Sequence, residues 1–293
     1  MSNFGERLKK SRNIKGITQR QLSEKLGVAQ STIANYENNT RFPGNDILIE
    51  ISQYLKISTD FLLGIDLNVS TNKTVDKKEF RNTTDEFINH LLKGNTNKAK
   101  SIIKQAHSSG IDILTIITSI FIPALNKTGD LWESNQISIA QEHYITGLIE
   151  KLLDYLSETE AVQEEKIYKA IFMVPSGEEH ILSLKMAAEF FRRRGWSIIF
   201  IGRSIPLESL IGMIKDKKPD LLVLSVLTSN GSNSCNYLVQ AVRMELNSKS
   251  PLILVGGKGI ENENTAIKTI GADLYIQELE ELDYRITEIE NIL

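Results

Sequence analysis

Residues 170–183 read Ala170-Ile171-Phe172-Met173-Val174, then Pro175-Ser176-Gly177-Glu178-Glu179-His180, then Ile181-Leu182-Ser183. A short apolar run is closed by a Pro-Ser-Gly turn signal, and an amphipathic helical pattern begins immediately afterwards. The same unit recurs to the end of the chain. Strands are expected at Ala170–Val174, Ser197–Ile201, Leu221–Ser225, Leu252–Val255 and Leu274–Ile276. Helical patterns alternate with them near Ile181–Arg194, Leu207–Lys215, Tyr237–Leu246 and Glu261–Ile270, with a last one from Glu280. This alternation predicts an open parallel sheet with helices on both faces. Sheets of this kind bind ligands at the carboxyl ends of their strands. The informative residues are therefore those that follow strands: Glu178 and His180 after the first, Ser225 and Leu227 at the end of the third, and Gly256-Gly257 after the fourth. Paired glycines at a strand end let a backbone approach a flat ligand or a phosphate closely.

Upstream of the sheet the chain reads as helical. Thr84–Leu92, Asn97–His107, Ile111–Gly129 and Ser138–Ser157 carry helical spacing with no convincing strand between them, which makes a four-helix bundle. From Leu67 to Lys77 the composition turns to Asn, Thr, Ser and Lys and can bury no core, as a linker does. The first 65 residues form a set of short helices punctuated by Gly16, Gly27 and Phe42-Pro43-Gly44, with Thr18 and Ser58 placed as N-caps. The expected organisation is multidomain, α and α/β: an all-α domain at 1–65, a linker at 66–80, a helical-bundle cap at 81–162 and a flavodoxin-like (Rossmann-like) parallel-sheet domain at 163–293.

Composition narrows the function classes. The 293 residues are 41% hydrophobic and 24% charged, as in a folded globular protein. No apolar run approaches the roughly 20 residues of a membrane span. The opening MSNFGERLKK lacks the apolar core of a signal peptide, so a cytoplasmic protein without a membrane partner is expected. A single cysteine, Cys235, rules out a disulfide framework and a cysteine-based zinc site. Four histidines remain as metal-ligand candidates: His90, His107, His143 and His180. His90 and His107 fall on polar helix faces and read as structural or surface residues. The net charge of -3 does not favour DNA, but Arg7, Lys9, Lys10, Arg12, Lys15, Arg20 and Lys25 crowd the first 25 residues against only Glu6 and Glu24.

Thr18 to Gly27 and Val28 to Glu37 read as two helices joined by a turn at Gly27, the layout in which the second helix enters the major groove. The stretch from Phe4 to Gly64 closely resembles the phage-repressor (Cro-like, or XRE) helix-turn-helix family, including Tyr36-Glu37, Arg41-x-Pro43 and Asp60-x-Leu62-Leu63. The resemblance puts Gln19 near a phosphate at the start of the supporting helix. It puts Gln30, Ser31 and Asn35 on the exposed face of the recognition helix. Their amides and hydroxyl suit the paired donor and acceptor groups of base edges. Arg12, Lys15 and Arg41 would add sequence-independent attraction to phosphates. One recognition helix reads only a few base pairs, so a homo-oligomer (dimer or tetramer) on a double-stranded DNA operator is expected.

The remainder, from about Asn82 to Ile292, resembles the cobalamin-binding module, a four-helix cap on a flavodoxin-like domain. The family's Asp/Glu-x-His-x-x-Gly, Ser-x-Leu and Gly-Gly signatures match Glu178 and His180, Ser225 and Leu227, and Gly256 and Gly257. The resemblance implies that His180 displaces the cofactor's own nucleotide base and ligates cobalt from below. The freed tail would enter the sheet beside the Ser and Gly-Gly positions. Ser183 stands where the family's first motif ends in Gly. Trp132, nine residues, then Glu142-His143 is a spacing shared with the light-responsive, CarH-type repressors. Taken alone, a Trp and a His in a bundle are ordinarily core and surface. By resemblance, Trp132 and Glu142 would surround the adenosyl group of adenosylcobalamin, and His143 would bind cobalt from above after photolysis. Those photoreceptors carry a MerR-type winged helix, whereas this chain carries the phage-repressor type.

No independent catalytic constellation is present, so a regulator rather than an enzyme is expected. Other readings stay open at this stage: a regulator sensing heme or another tetrapyrrole, a sensor of cobalamin abundance without light, a corrinoid methyl carrier, or a dimerisation module whose pocket binds nothing.

Overall fold

A computed structural model of the chain describes residues 4–55, 57, 59–63, 77–160 and 167–293. Ser58 and the expected linker as far as residue 76 lie outside the described residues. The chain divides into two compact units, Met1–Lys73 and Thr74–Leu293.

The first unit comprises α1 (Phe4–Ile14), α2 (Gln19–Lys25), α3 (Gln30–Glu37), α4 (Asn45–Leu55) and α5 (Thr59–Leu63). Thr18 caps α2 as its position suggests: its hydroxyl accepts from Gln21 N, and the Gln21 side chain takes the Thr18 N–H at 2.8 Å. Two orphan groups of the helix end are satisfied at once. Leu8, Leu22, Ile33, Ile51 and Leu62 are fully buried and form the core. Gly5 lets α1 approach the end of α3, because a Cβ there would lie 2.2 Å from the Glu37 carbonyl oxygen.

The second unit opens with α6 (Lys77–Leu92), α7 (Thr96–Ser108), α8 (Ile113–Ile116), a π-turn (Ile117–Phe121), α9 (Ile122–Glu133) and α10 (Ile139–Thr159). The first of these helices begins at Lys77, earlier than the expected Thr84; Phe80 is the single apolar residue from Lys77 to Thr83, so no apolar period marks its start. The rod from Ile113 to Glu133 is continuous across the π-turn, and Pro123 explains what holds that turn open. Proline lacks the N–H that would reach the carbonyl of Ser119 four residues back. The hydroxyl of Thr84, on α6, donates to that carbonyl at 2.8 Å. Ser138 caps α10 in a second capping box with Gln141.

The sheet contains β1 (Lys169–Met173), β2 (Ser197–Phe200), β3 (Leu221–Ser225), β4 (Leu252–Gly256) and β5 (Leu274–Ile276), all parallel, in the order β2-β1-β3-β4-β5. That is the flavodoxin-like order, with its switch point between β1 and β3. The sequence places each strand within one residue of its ends. The intervening helices are α11 (Leu182–Arg193), α12 (Leu207–Lys217), α13 (Ser229–Leu246) and α14 (Leu282–Ile292), with a π-turn at Thr265–Ile270. The largest difference from the sequence reading is α13, which starts at Ser229 rather than Tyr237. Its first turns, Ser-Asn-Gly-Ser-Asn-Ser, show no apolar face, but Thr228 caps them through Gly231 N at 3.1 Å.

Strand residues alternate between two cores. Ile171, Met173, Leu222, Leu224, Ile253 and Val255 face α12 and α13. Ala170, Phe172, Leu221, Val223 and Leu254 face α11 and α14, and share one continuous core with Phe87, Ile103, Phe121, Ile149 and Leu153 of the bundle. A polar seam runs beside that core. Lys185 on α11 pairs with Glu150 at 2.8 Å and Asp154 at 3.0 Å on α10, Ser157 donates to Glu189 at 2.8 Å, and Arg193 pairs with Glu160 at 2.9 Å. No described helix is long and apolar enough to cross a membrane.

Candidate functional site

The loops leaving β1 and β3 flank the switch point, and the carboxylate of Glu178 ties them together. Its side chain has no solvent exposure. Oε1 accepts the N–H groups of Glu179 and His180, each at 3.1 Å, and His180 Nδ1 lies 2.5 Å from it. Oε2 accepts Leu227 N at 2.8 Å, Thr228 N at 2.9 Å and the Thr228 hydroxyl at 3.0 Å. Burial raises the pKa of this carboxyl, but the hydrogen bonds from the His180 side chain and from the N–H groups of Leu227, His180 and Thr228 outweigh it. The result is a group held ionised down to about 2. The expected helper of His180 is thus also the residue that fixes the β3 loop. Thr228, which sequence reasoning missed, donates twice to Glu178 and caps α13; a Thr just before a polar helical start was the available signal.

The His180 side chain remains 59% exposed. With Nδ1–H donated to Glu178, the tautomer is fixed and Nε2 presents its lone pair outward. This donor set suits a metal that brings its other ligands with it. Among the described residues no group of three or more His, Cys, Asp or Glu could hold a bare ion. Burial pushes the Cys235 thiol up to about 12, so it offers no thiolate.

The other strand-end positions gather at the same edge. Ser225 closes β3 and pairs in register with Gly256 on β4. Its hydroxyl lies 3.2 Å from that of Ser183 in the first turn of α11. The glycines also meet a packing requirement that the sequence reading did not include. A Cβ on Gly257 (φ 109°) would lie 2.3 Å from the Val226 carbonyl oxygen, and one on Gly259 would lie 2.7 Å from Thr228 N. The β4 loop is seated on the β3 loop, so the space beside Gly257 is filled by protein backbone and is not an open cradle.

In the bundle, Trp132 is the penultimate residue of α9 and 44% exposed. Glu142 and His143 lie in the first turns of α10. Glu142 Oε2 is 2.5 Å from His143 Nδ1, and its Oε1 accepts the Thr146 hydroxyl at 2.8 Å. His143 thus repeats the Glu-His pairing of His180, but more loosely: its side chain is 73% exposed and its carboxylate partner is itself partly exposed. Tyr144, beside it, is hydrogen-bonded to Thr96. His90 lies 3.7 Å from Glu86, and His107 contacts the Ile111 carbonyl and Thr159, each at 3.3 Å.

In the first unit Gln30, Ser31, Asn35 and Arg41 are exposed, the first three on α3. Asn35 also supports the turn after α3, its carbonyl accepting from Thr40 N at 3.0 Å and Arg41 N at 3.3 Å. One expected phosphate contact, that of Arg12, is corrected. Arg12 is buried against Glu37, with Nε 2.5 Å from Oε1 and Nη2 3.1 Å from Oε2. Lys15 donates to the Tyr54 carbonyl and lies 4.2 Å over the Tyr54 ring. Gln19 joins the Arg12 pair by donating to Glu37 Oε2 at 2.8 Å. The partner of both lies far downstream, which a local reading of charge misses.

Comparison with known proteins assigns each part. A helix-turn-helix domain family matches residues 5–64, and B12 binding domain families match residues 83–157 and 168–283. The HTH-type transcriptional repressor CarA of Myxococcus xanthus is 26% identical over 178 residues, 59% of this chain and 57% of that protein. The SPbeta prophage-derived uncharacterized HTH-type transcriptional regulator YonR of Bacillus subtilis is 42% identical over 85 residues, 29% of this chain and 74% of that protein. The solved monomethylamine corrinoid protein of Methanosarcina barkeri superposes with a TM-score of 0.64 at 20% identity, over 71% of this chain and 99% of that one. The chain spans little more than half the length of several curated relatives it matches, between 53% and 57%.

Proposed function

Because the chain belongs to the HTH-type transcriptional regulators and carries two B12 binding domains, we propose that it is a DNA-binding transcription regulator controlled by bound adenosylcobalamin, and through it by light. The observation that carries this reading is the Glu178–His180 pair at the β1/β3 switch point. Glu178 holds the proton at His180 Nδ1, orients the ring and leaves Nε2 as the lower ligand. When bound, adenosylcobalamin supplies a cobalt centre that accepts an imidazole and a cobalt–carbon bond that light breaks.

Ser225, Leu227, Gly256 and Gly257 form the strand-end edge beside His180. Trp132 offers an exposed indole face to the adenosyl group, and Glu142 orients His143. The looser pairing of His143 suits a residue that must move to ligate, whereas the buried carboxylate of His180 suits one that stays in place. In the other unit, Gln30, Ser31 and Asn35 read base edges and Arg41 meets phosphate, with Gln19 placed at the start of α2. A dimer or tetramer engages two half-sites about one helical turn apart.

Reconstitution with adenosylcobalamin tests the reading. His180→Ala should bind the cofactor weakly or leave it base-on, and an unchanged affinity and spectrum would refute the ligand assignment. Illumination should change oligomer size and operator affinity, and His143→Ala should lose the adenosyl group yet lack a bis-imidazole spectrum. If light changes neither assembly nor DNA binding in the wild type, the protein senses cofactor level alone.

A further inference from the structure

Three residues after His180 in the chain, hydroxyl groups from α11 and β3 meet. Ser183, in the first turn of α11, projects from the helix layer, and the buried Ser225 ends the neighbouring strand β3. Their oxygens are 3.2 Å apart and hydrogen-bonded. A flat aromatic ring in contact on both faces needs walls about 7 Å apart, two contacts of about 3.5 Å. No such ring passes between α11 and the end of β3 while the bridge stands. At the end of the next strand, a Cβ on Gly257 would meet the Val226 carbonyl oxygen at 2.3 Å and one on Gly256 the Ile276 carbonyl oxygen at 3.1 Å. The bridge therefore joins α11 to the carboxyl end of β3, at the edge where open α/β sheets receive their ligands.

We infer that Ser183 sets the specificity of this site for the lower substituent of its corrinoid, disfavouring those that carry a bulky nucleotide tail. The inference rests on the corrinoid reading above. Cobalamin carries a nucleotide on its lower face, and His180 must displace its base to reach the cobalt. The displaced base has to open the Ser183–Ser225 bridge to enter the sheet, or stay outside it without contacts. Cobinamide, the same ring without the nucleotide, encounters neither cost. The bridging serine thus turns a general corrinoid site into one that discriminates by tail.

Equilibrium dialysis of the full chain with hydroxocobalamin and with diaquocobinamide tests this. The wild type should hold cobinamide about tenfold more tightly, the scale of one disrupted hydrogen bond with some crowding. Ser183→Gly should raise cobalamin affinity by a similar factor and leave cobinamide unchanged. Ser183→Val should weaken cobalamin further, again without effect on cobinamide, and serves as the control should glycine loosen the helix start. Equal affinities in the wild type, or variants that move both ligands together, would overturn the inference while leaving the corrinoid reading intact. Failure of the wild type to bind either ring would overturn both.

Discussion

Replacing Glu178 with Gln changes one oxygen to an amide and should destabilise the sheet domain by about 3 kcal/mol at neutral pH. Two routes lead to that magnitude. A carboxyl held at about 2 in the folded chain, against about 4.3 when unfolded, contributes about 3 kcal/mol. Independently, the carboxylate accepts four backbone N–H groups, two on each oxygen. The amide nitrogen must face one of those pairs, and each buried donor left unmatched costs about 1–3 kcal/mol. The sign with pH follows from a depressed folded value. The stabilisation is complete above the unfolded pKa and is lost as pH falls through the folded one, so wild type and variant should converge between about pH 4.3 and about pH 2. Urea unfolding followed by fluorescence reads this directly, because Trp196 is buried against Tyr168 and Phe191 in the sheet domain. A loss below about 0.5 kcal/mol at pH 7 would refute the reasoning, as would a difference that persists on acidification.

Glu37→Ala should cost the first unit about 3 kcal/mol in thermal or urea unfolding, because it strands the buried Arg12 guanidinium. Gly257→Ala should destabilise by more than about 2 kcal/mol, combining a left-handed backbone with a clash onto Val226, and should weaken corrinoid binding indirectly. Thr84→Val removes the donor to the Ser119 carbonyl at the π-turn and should cost about 1 kcal/mol, measurable as a lowered melting temperature of the second unit. Gln30→Ala with Asn35→Ala should abolish sequence preference in a gel-shift assay while leaving salt-dependent, non-specific DNA binding, since both side chains are exposed on α3.

The sheet was legible because its strands are short apolar runs separated by strong turn signals; Leu221–Ser225 and Leu274–Ile276 are placed to the residue. The beginning of α13 was not, since Ser229 to Ser234 are helical through a cap and a tertiary seat rather than through periodicity. His180 stood out by position, yet the role of Glu178 rests on N–H groups of Leu227 and Thr228 from the loop after β3, which no local pattern announces. The glycines of the β4 loop stood out in the sequence, but their packing on neighbouring backbone did not, because sequence does not tell what a missing side chain makes room for. Arg12 looked like part of a basic face, and only the fold brings Glu37 to it.

The bundle and the sheet share a core and a polar seam, so neither is a separable inheritance. A chain cut between Glu160 and Ile167 would strand Phe121, Ile149 and Leu153 on one fragment and Phe172, Phe191 and Val223 on the other, each with its apolar face in water. Melting should therefore take both together as one cooperative step. Ahead of Thr74 the chain divides instead into its two compact units, and an exchange of parts at that boundary would leave the shared core of bundle and sheet whole.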